Sequence, residues 1–554
     1  MIDDEADLAR MNSGPDRVEA GPGIAELPWP LLRRVGLAAS AVLFAILCAW
    51  SVRLYLVSGL STDAGIYRQA FFEIAHGHLN PYNTMIVRGA TDYGAPFLQN
   101  HLELAMWPLS LIGLIYDHSI TLLVIQDICA AGAVLVAYLW GLDILGERWH
   151  GSRRGGILVA LLLLITLVAN PWVYWASLIN FHLQALAALF LLLAAREMWT
   201  RGRPRAWVWV IGVLACGDVA ATYVVGLGIS RLLAGRSARR QGAALVVIGA
   251  SWVAIVAALH ANLGSSLPSA YGYLSGSNTL PGGAAALLAI GVGIFRHPSA
   301  PARMIGQHAT DLYRVLAGPG FIGIMSPEAA GVAVVVLLAN VLNAGGFLQP
   351  NISFQSFPAE MFIAVGGVFV LCWLWRRSRR VRILAGLLAV ASLVQTLVIA
   401  TAWTPNLFAS LLKINATTSN ELAIVRSEVP ASAEVVITPM IIGRFAARRW
   451  VYPFLGLRTI GSSPALRMDL KEPVSARQVV FVVDEKASPG IGSAPPNVVA
   501  FAVRYLRDDL HARLVVDRDG IVVLSWRPPR GVRSITFPVP LKVLFPHGAI
   551  HAAH

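Results

Sequence analysis

Charge is scarce in this chain: only 14% of its 554 residues are Asp, Glu, Lys or Arg, against about 25% in an ordinary soluble domain, which excludes a single solvated globule. Lysine is nearly missing, and all four lysines lie at or beyond Lys413. Cysteine is as sparse. Cys48, Cys129, Cys216 and Cys372 are far apart and sit in apolar segments, which argues against a disulfide framework or a zinc site and leaves them as small core residues. No Walker A, GxGxxG, HExxH or GxSxG pattern stands in a context that would give it chemistry, so soluble-nucleotide chemistry has no support. No tandem repeat of fixed period is visible. The first 32 residues are acidic, rich in Gly and Pro, and lack a basic segment followed by a small-residue cleavage site; they read as a disordered cytoplasmic tail ahead of an uncleaved signal anchor.

What the chain does have is long apolar runs, with 56% hydrophobic residues and a mean hydropathy of +0.62. A bilayer core takes about 20 apolar residues per helix. Eleven candidate spans follow: 35–57, 119–145, 155–176, 183–199, 206–217, 219–235, 241–262, 283–295, 317–343, 357–376 and 382–403. The formal charge of +13 could suggest nucleic acid, but nearly all arginines of the membrane half sit in short connectors, where they orient helices, so no nucleic-acid partner is expected. Arg33 and Arg34 precede the first span and place the N-terminus in the cytoplasm. Basic connectors (Arg148, Arg153 and Arg154; Arg201, Arg203 and Arg205; Arg236, Arg239 and Arg240; Arg376, Arg377, Arg379 and Arg380) alternate with 177–182, 263–282 and 344–356, which hold no Lys or Arg. The short apolar stretch 102–116 reads as a juxtamembrane helix in the outer interface. Glycines near 226–228 and in "GVGIF" are helix-packing residues.

From about 404 the composition becomes soluble. "AEVVITPM" and "QVVFVVDE" read as strands, "PNVVAFAVRYLRDDL" as a helix, and "ARLVVDRDGIVVLSW" as a hairpin around Asp519 and Gly520. The expected fold class is a polytopic α-helical membrane protein of about 11 transmembrane helices with a small C-terminal extracytoplasmic α/β domain. Its parts are a tail (1–32), a membrane domain (33–403) with an external loop at 58–118, and the outer domain (404–554).

That topology puts many polar groups on one side. The first external loop holds Asp63, Arg68, Gln69, Glu73, His76, His78, Arg88, Asp92, His101 and Glu103; the turn at 177–182 leads into His182 and Gln184; Asp218 lies in the next external turn. Ionisable groups at membrane depth cost roughly 2.5–3.5 kcal/mol each, so they are kept where they meet a cavity or a partner. Asp63 admits two readings, a cap for the helix whose apolar stripe is Ile66, Tyr67, Ala70, Phe71 and Ile74, or a catalytic acid. Glu73 and His76 read as solvated surface, and His78 and Asp92 as loop residues. His101 and Glu103 are two apart, which on a helix puts them on different faces. His182 at a helix start could be a merely interfacial histidine, whereas Asp218, in the apolar stretch "LACGDVAATY", favours function.

The segments "DAGIYRQAFFEIAHG", "NHLELAMWPLSLI", "NFHLQALAALFLLLA", "CGDVAATYVVGLGI", "SPEAAGVAVVVLLANVLN", "ISFQSFPAEMFIAVGG" and "EVPASAEVVITPMIIGRFAARRWVYPFLG" resemble, in that order, the predicted integral-membrane family called domain of unknown function 2079. That family in turn is similar to the GT-C membrane glycosyltransferases. The resemblance implies transfer of a sugar, with inversion, from a polyprenyl-phosphate donor to an envelope glycan or protein acceptor. It also implies Asp63 as the general base, and positive charge for the leaving phosphate from Arg68, Arg88, C-terminal basic residues or a divalent metal. Gln69, His101, Glu103, His182 and Asp218 are the implied substrate-binding set. This chain departs from the family pattern where relatives carry acidic residues: Asn180 and Asn100 stand for acids, Leu183 and Gln184 for Pro-Glu, Cys216 and Gly217 for Lys-Glu. Fewer carboxylates weaken the case for a divalent cation, so no cofactor is assigned.

Two other functions compete. A transporter or lipid-carrier flippase would place its site near the midplane, often between inverted repeats. A non-catalytic envelope scaffold would use the outer domain to bind a partner, and the reduced acidic set suits it.

Overall fold

The computed structural model describes residues 27–57, 60–88, 92–99, 102–178, 180–201, 203–259, 270–275, 284–348, 353–412, 416–455, 459–460, 467–486 and 494–544. The N-terminal segment 1–26, Asn100 and His101 lie outside them. The membrane part is helical: α1 (Trp29–Leu56), α2 (Thr62–Ala75), α3 (Met106–Ser110), α4 (Ser119–Arg148), α5 (Arg153–Ala169), α6 (Pro171–Leu178), α7 (Gln184–Arg196), α8 (Ala206–Ala215), α9 (Ala220–Leu233), α10 (Arg239–Leu259), α11 (Ala284–Arg296), α12 (Ser299–Gln307), α13 (Ala309–Ala317), α14 (Pro327–Val341), α15 (Phe357–Trp375) and α16 (Arg379–Leu412). A hairpin of β1 (Tyr82–Arg88) and β2 (Asp92–Pro96) interrupts the first loop.

Each of the eleven expected spans contains helix, but among the described residues only six helices are both long and apolar enough to cross a bilayer. The others are short. The stretch expected as a span over 283–295 is α11, 13 residues, or about 20 Å at 1.5 Å per residue. The span expected to begin at 317 starts at Pro327 instead, where Ser326 caps the backbone of Glu328; Gly318, Pro319 and Gly320 break the chain before it. At the far end α16 runs on to Leu412, beyond the expected boundary at 404. Residues 102–116 form the short α3 and a 3₁₀ turn (Leu111–Leu114) whose apolar side chains Leu111, Leu114, Ile115 and Tyr116 are exposed, as an element lying against lipid requires.

The helices pack through small residues. A Cβ on Gly226 of α9 would stand 2.7 Å from the Val332 backbone of α14, and one on Gly331 2.4 Å from the Gly226 carbonyl oxygen, so these glycines set the helix separation. Ion pairs gather the basic connectors at one end of the bundle. Asp143 near the end of α4 meets Arg196 at 2.7 Å and Arg33 at 3.9 Å, while Arg148 meets Glu328 at 3.2 Å and its carbonyl accepts from Arg376. The polar residues lie at the other end of the same helices, where α4 begins, α7 begins and α15 begins.

The α/β domain sits on that second end. After α17 (Ala416–Glu428) come β3 (Glu434–Ile437), β4 (Val451–Pro453), β5 (Thr459–Ile460), β6 (Arg467–Pro473), β7 (Val479–Asp484), α18 (Pro496–Asp508), β8 (Arg513–Arg518), β9 (Ile521–Trp526) and β10 (Ser534–Pro540). The five-stranded sheet has the order β4-β3-β7-β9-β8, with the first three strands parallel and the last two antiparallel; a second sheet has the order β10-β6-β5. The β8–β9 hairpin turns at Asp519 (φ 48°) and Gly520 (φ 84°), the two left-handed positions a tight hairpin needs. Both faces of the larger sheet are buried, one under α18 and the other toward α17 and the membrane part.

Candidate functional site

The short helix α2 organises the polar end. Ser61 is its N-cap residue, but its side chain makes no cap hydrogen bond. Its hydroxyl instead accepts from Asn180 Nδ2 (2.8 Å) while its backbone N–H donates to Asn180 Oδ1 (2.9 Å). Asn180 has φ 112°, a region that Asn tolerates better than most residues, and its carbonyl accepts from Gln126 of α4 at 2.8 Å. Gln126 also accepts the backbone N–H of His182. One amide thus ties the start of α2 to the α6–α7 turn, using both a donor and an acceptor where an acid could offer only acceptors.

With Ser61 at the cap, Asp63 falls in the first turn of α2, where the helix dipole favours a carboxylate, and it is exposed. One turn on, on the same face, stands Tyr67, buried. Its hydroxyl donates to Glu103 Oε1 at 2.8 Å. Its ring meets Phe181 edge-on at 5.1 Å and His182 at 6.2 Å. Burial, then the hydrogen-bonded Glu103, then the charges of Asp63 and Asp218 push the phenol's pKa well above its usual value, so carboxylates from three parts of the chain act on this one hydroxyl. Glu103 in turn backs onto Gly217, which has φ 120°; a Cβ there would stand 3.0 Å from Glu103 Cγ. Asp218 follows directly. His182 stacks on Phe354 just before α15, with ring centroids 3.8 Å apart and planes at 11°. Asp63, Glu103, His182 and Asp218 are therefore gathered around Tyr67.

Other expected residues lie elsewhere. Gln69 is buried in the seam with the α/β domain: its amide N–H groups donate to Thr84 Oγ1 (2.9 Å) and the Arg449 carbonyl (2.7 Å), and its oxygen accepts from the Thr84 backbone. Arg68 points to Asp117, 2.5 Å away. Arg88 ends β1, paired in register with Asp92. His101 lies outside the described residues, and Gln184 opens α7, buried. Glu73, expected as solvated surface, is buried at 3% exposure. The β1–β2 hairpin covers the polar stripe of α2, as the Gln69–Thr84 bonds one turn earlier show. His76 and His78 are exposed as expected.

Tyr67 was not legible as a site residue, because it belongs to the apolar stripe of α2; its signal was the i, i+4 spacing from Asp63. Among the described residues no three His, Cys, Asp or Glu side chains are placed to hold a metal ion.

No curated protein matches the chain. Two crystal structures of ArnT from Cupriavidus metallidurans, one bound to undecaprenyl phosphate and one in the apo state, are similar with TM-scores of 0.41 and 0.42 at 13% and 12% identity; each likeness covers 88% of this chain and 99% of that one. The family model for predicted membrane proteins termed DUF2079 matches residues 53–482. That range runs from the end of α1 through the polar end into the larger sheet, and the chain belongs to the DUF2079 family of membrane proteins.

Proposed function

We propose that the protein is a GT-C-type glycosyltransferase of the cell envelope, which passes a sugar from a polyprenyl-phosphate donor to a hydroxyl of a glycan or protein acceptor on the outer face. The observation that carries this reading is the meeting of Asp63, Glu103 and Asp218 around the Tyr67 ring at the bundle end covered by the α/β domain. In the proposed step the acceptor hydroxyl gives its proton to Asp63 and its oxygen attacks the anomeric carbon from the face opposite the phosphate. The bond from that carbon to the phosphate oxygen breaks, its electron pair leaves with the polyprenyl phosphate, and the configuration inverts. Asp63 is the exposed member of the three, hence the one an acceptor can reach. Glu103 and Asp218, with the His182 ring, line the place where the sugar would lie. Of the groups expected at the leaving phosphate, Arg68 is engaged by Asp117, and Arg88 and the basic residues of the α/β domain stay as candidates.

Two buried acids inside the spans, Asp127 and Glu360, lie toward this end, whereas Glu197 and Glu328 are buried against arginines at the other. Asp127, bonded to Ser51 at 2.7 Å, is about 12 Å along α4 from its start, and Glu360, bonded to Asn170 at 3.1 Å, is in the first turn of α15. Acids held at the ends of the bundle, with Asp63, Glu103 and Asp218 together at one of them, favour interfacial chemistry over a midplane transport site. Purified protein incubated with polyprenyl-phosphate sugars and envelope acceptors tests the reading: transfer lost in Asp63→Ala supports it, and transfer unaffected by that change removes Asp63 from the mechanism.

A further inference from the structure

The face of α2 turned away from the carboxylates carries a second and opposite arrangement. Arg68, 2% exposed, reaches Asp117 at the head of α4 through Nη1 (2.5 Å) and the Asp117 carbonyl through Nη2 (3.2 Å). Beside it, Tyr55 at the end of α1 is a hub. Its hydroxyl accepts from Arg426 Nη1 of α17 at 2.8 Å, stands 3.0 Å from His118 Nε2, and its ring lies 4.4 Å under the Arg444 guanidinium. Arg444, 3% exposed, also donates to the Leu56 carbonyl.

These cations face one another. Burial lowers the pKa of Arg68, Asp117 opposes that, and Arg426 adds repulsion; Arg444 is lowered by burial and by Arg426, with Tyr55 opposing. His118 is brought down to about 4 by burial, then by Arg426, Arg68 and Arg444, and Arg448 to about 10 by burial and Arg426. Among the described residues, Asp117 is the carboxylate that offsets Arg68, Arg426 and Arg444. The Nε–H groups of Arg68 and Arg444 are buried and meet no acceptor among the described residues. Arg68 is paired with Asp117, but the buried Arg444 and the half-buried Arg426 add two further cations beside it; buried charge is unfavourable unless a counter-ion completes the site, and a guanidinium fork matches phosphate oxygens.

The surroundings indicate where such an anion comes from. Leu111, Leu114, Ile115 and Tyr116, immediately before Asp117, are exposed apolar side chains, and α1 and α4 are membrane-spanning helices that end and begin at the cluster. We propose that Arg68, Arg426 and Arg444, with Tyr55 and His118, form a phosphate-binding site at the seam of α1, α4 and the α/β domain, filled by the headgroup of an anionic phospholipid whose chains run beneath the Ile115–Tyr116 lip. This site is separate from the proposed transfer site. It lies across α2, a helix about 10 Å in diameter, so a donor phosphate held here would carry its sugar away from Asp63. Its occupant joins the α/β domain to the membrane part, since Arg426 and Arg444 come from one and Tyr55, Arg68 and His118 from the other.

The experiment uses the full-length protein in detergent and reads thermal unfolding and, by native mass spectrometry, retained lipid. Phosphatidylglycerol is compared with phosphatidylcholine, and inorganic phosphate with chloride at equal ionic strength. Phosphatidylglycerol should stabilise and be retained, and Arg426→Gln should weaken its binding about tenfold, one lost charge-assisted contact. Arg504→Gln on the exposed face of α18 should leave binding unchanged and controls for net charge. Stabilisation by inorganic phosphate equal to that by the lipid, and lost in Arg426→Gln, keeps the anion site and assigns it to free phosphate. No response to either anion, or equal losses in both variants, overturns the proposal and leaves the cluster as a structural latch. Sugar transfer is not read, so failure here and failure of the glycosyltransferase reading are distinguishable.

Discussion

Replacing Tyr67 by Phe removes one oxygen and keeps the ring that packs on Phe181 and Phe97. The oxygen donates to a carboxylate that is itself 3% exposed. Losing a donor to a buried acceptor costs about 1–3 kcal/mol. Because burial and the three carboxylates hold the phenol's pKa well above its ordinary value near 10, it stays a protonated donor at every working pH, and the deficit should be constant up to pH 10. Thermal and denaturant unfolding in detergent measure it. A double-mutant cycle with Glu103→Gln assigns it to the pair, since the double variant should cost less than the sum of the singles. A Tyr67→Phe protein as stable as wild type, or strictly additive with Glu103→Gln, would refute the claim that this bond holds Glu103 at the site.

Asp63→Asn should lower the transfer rate by about 10² to 10⁴, the usual worth of a general base, while its exposed position keeps the stability change within about 0.5 kcal/mol; kcat and unfolding measured side by side check both. Gly217→Ala puts a Cβ 3.0 Å from Glu103 Cγ on a backbone at φ 120° and should destabilise by about 1–2 kcal/mol, read as a lower unfolding temperature together with reduced transfer. Gln69→Ala breaks the bonds to Thr84 and Arg449 and should loosen the α/β domain, so that limited proteolysis releases it faster than from wild type. His118 carries the pH dependence: its folded pKa of about 4 lies below the unfolded value near 6.5, so the unfolded chain binds the extra proton and stability falls as pH drops through that window. The unfolding temperature of His118→Gln, followed from pH 7 to pH 4, should lose that component of the slope.

Much of the architecture was legible because its signals are local. The apolar runs marked helices, and the arginine connectors marked the end of the bundle where Asp143, Arg148 and Glu328 now pair. Asp-Gly between alternating apolar residues marked the β8–β9 turn. What stayed hidden depends on contacts distant in sequence. The β1–β2 hairpin carries only a three-residue apolar run, 85–87, and no alternating pattern to announce it, yet its Thr84 holds the buried Gln69. Asn180 looked like a lost acid, but its amide performs a two-way exchange with Ser61 that only the folded chain shows. Tyr67 was counted with the apolar stripe although its hydroxyl is what meets Glu103, and Arg68 was expected at a substrate phosphate before Asp117, 49 residues away, came into contact with it.

If the polar end of the bundle is the sugar-transfer site, as proposed, the donor sugar binds there. A map of the full-length protein with a bound polyprenyl-phosphate sugar tests it most directly. The expected map has the anomeric carbon beside Asp63, with the sugar against Glu103, His182 and Asp218. A donor bound at the basic-connector end, or with its sugar remote from the Tyr67 ring, would contradict it.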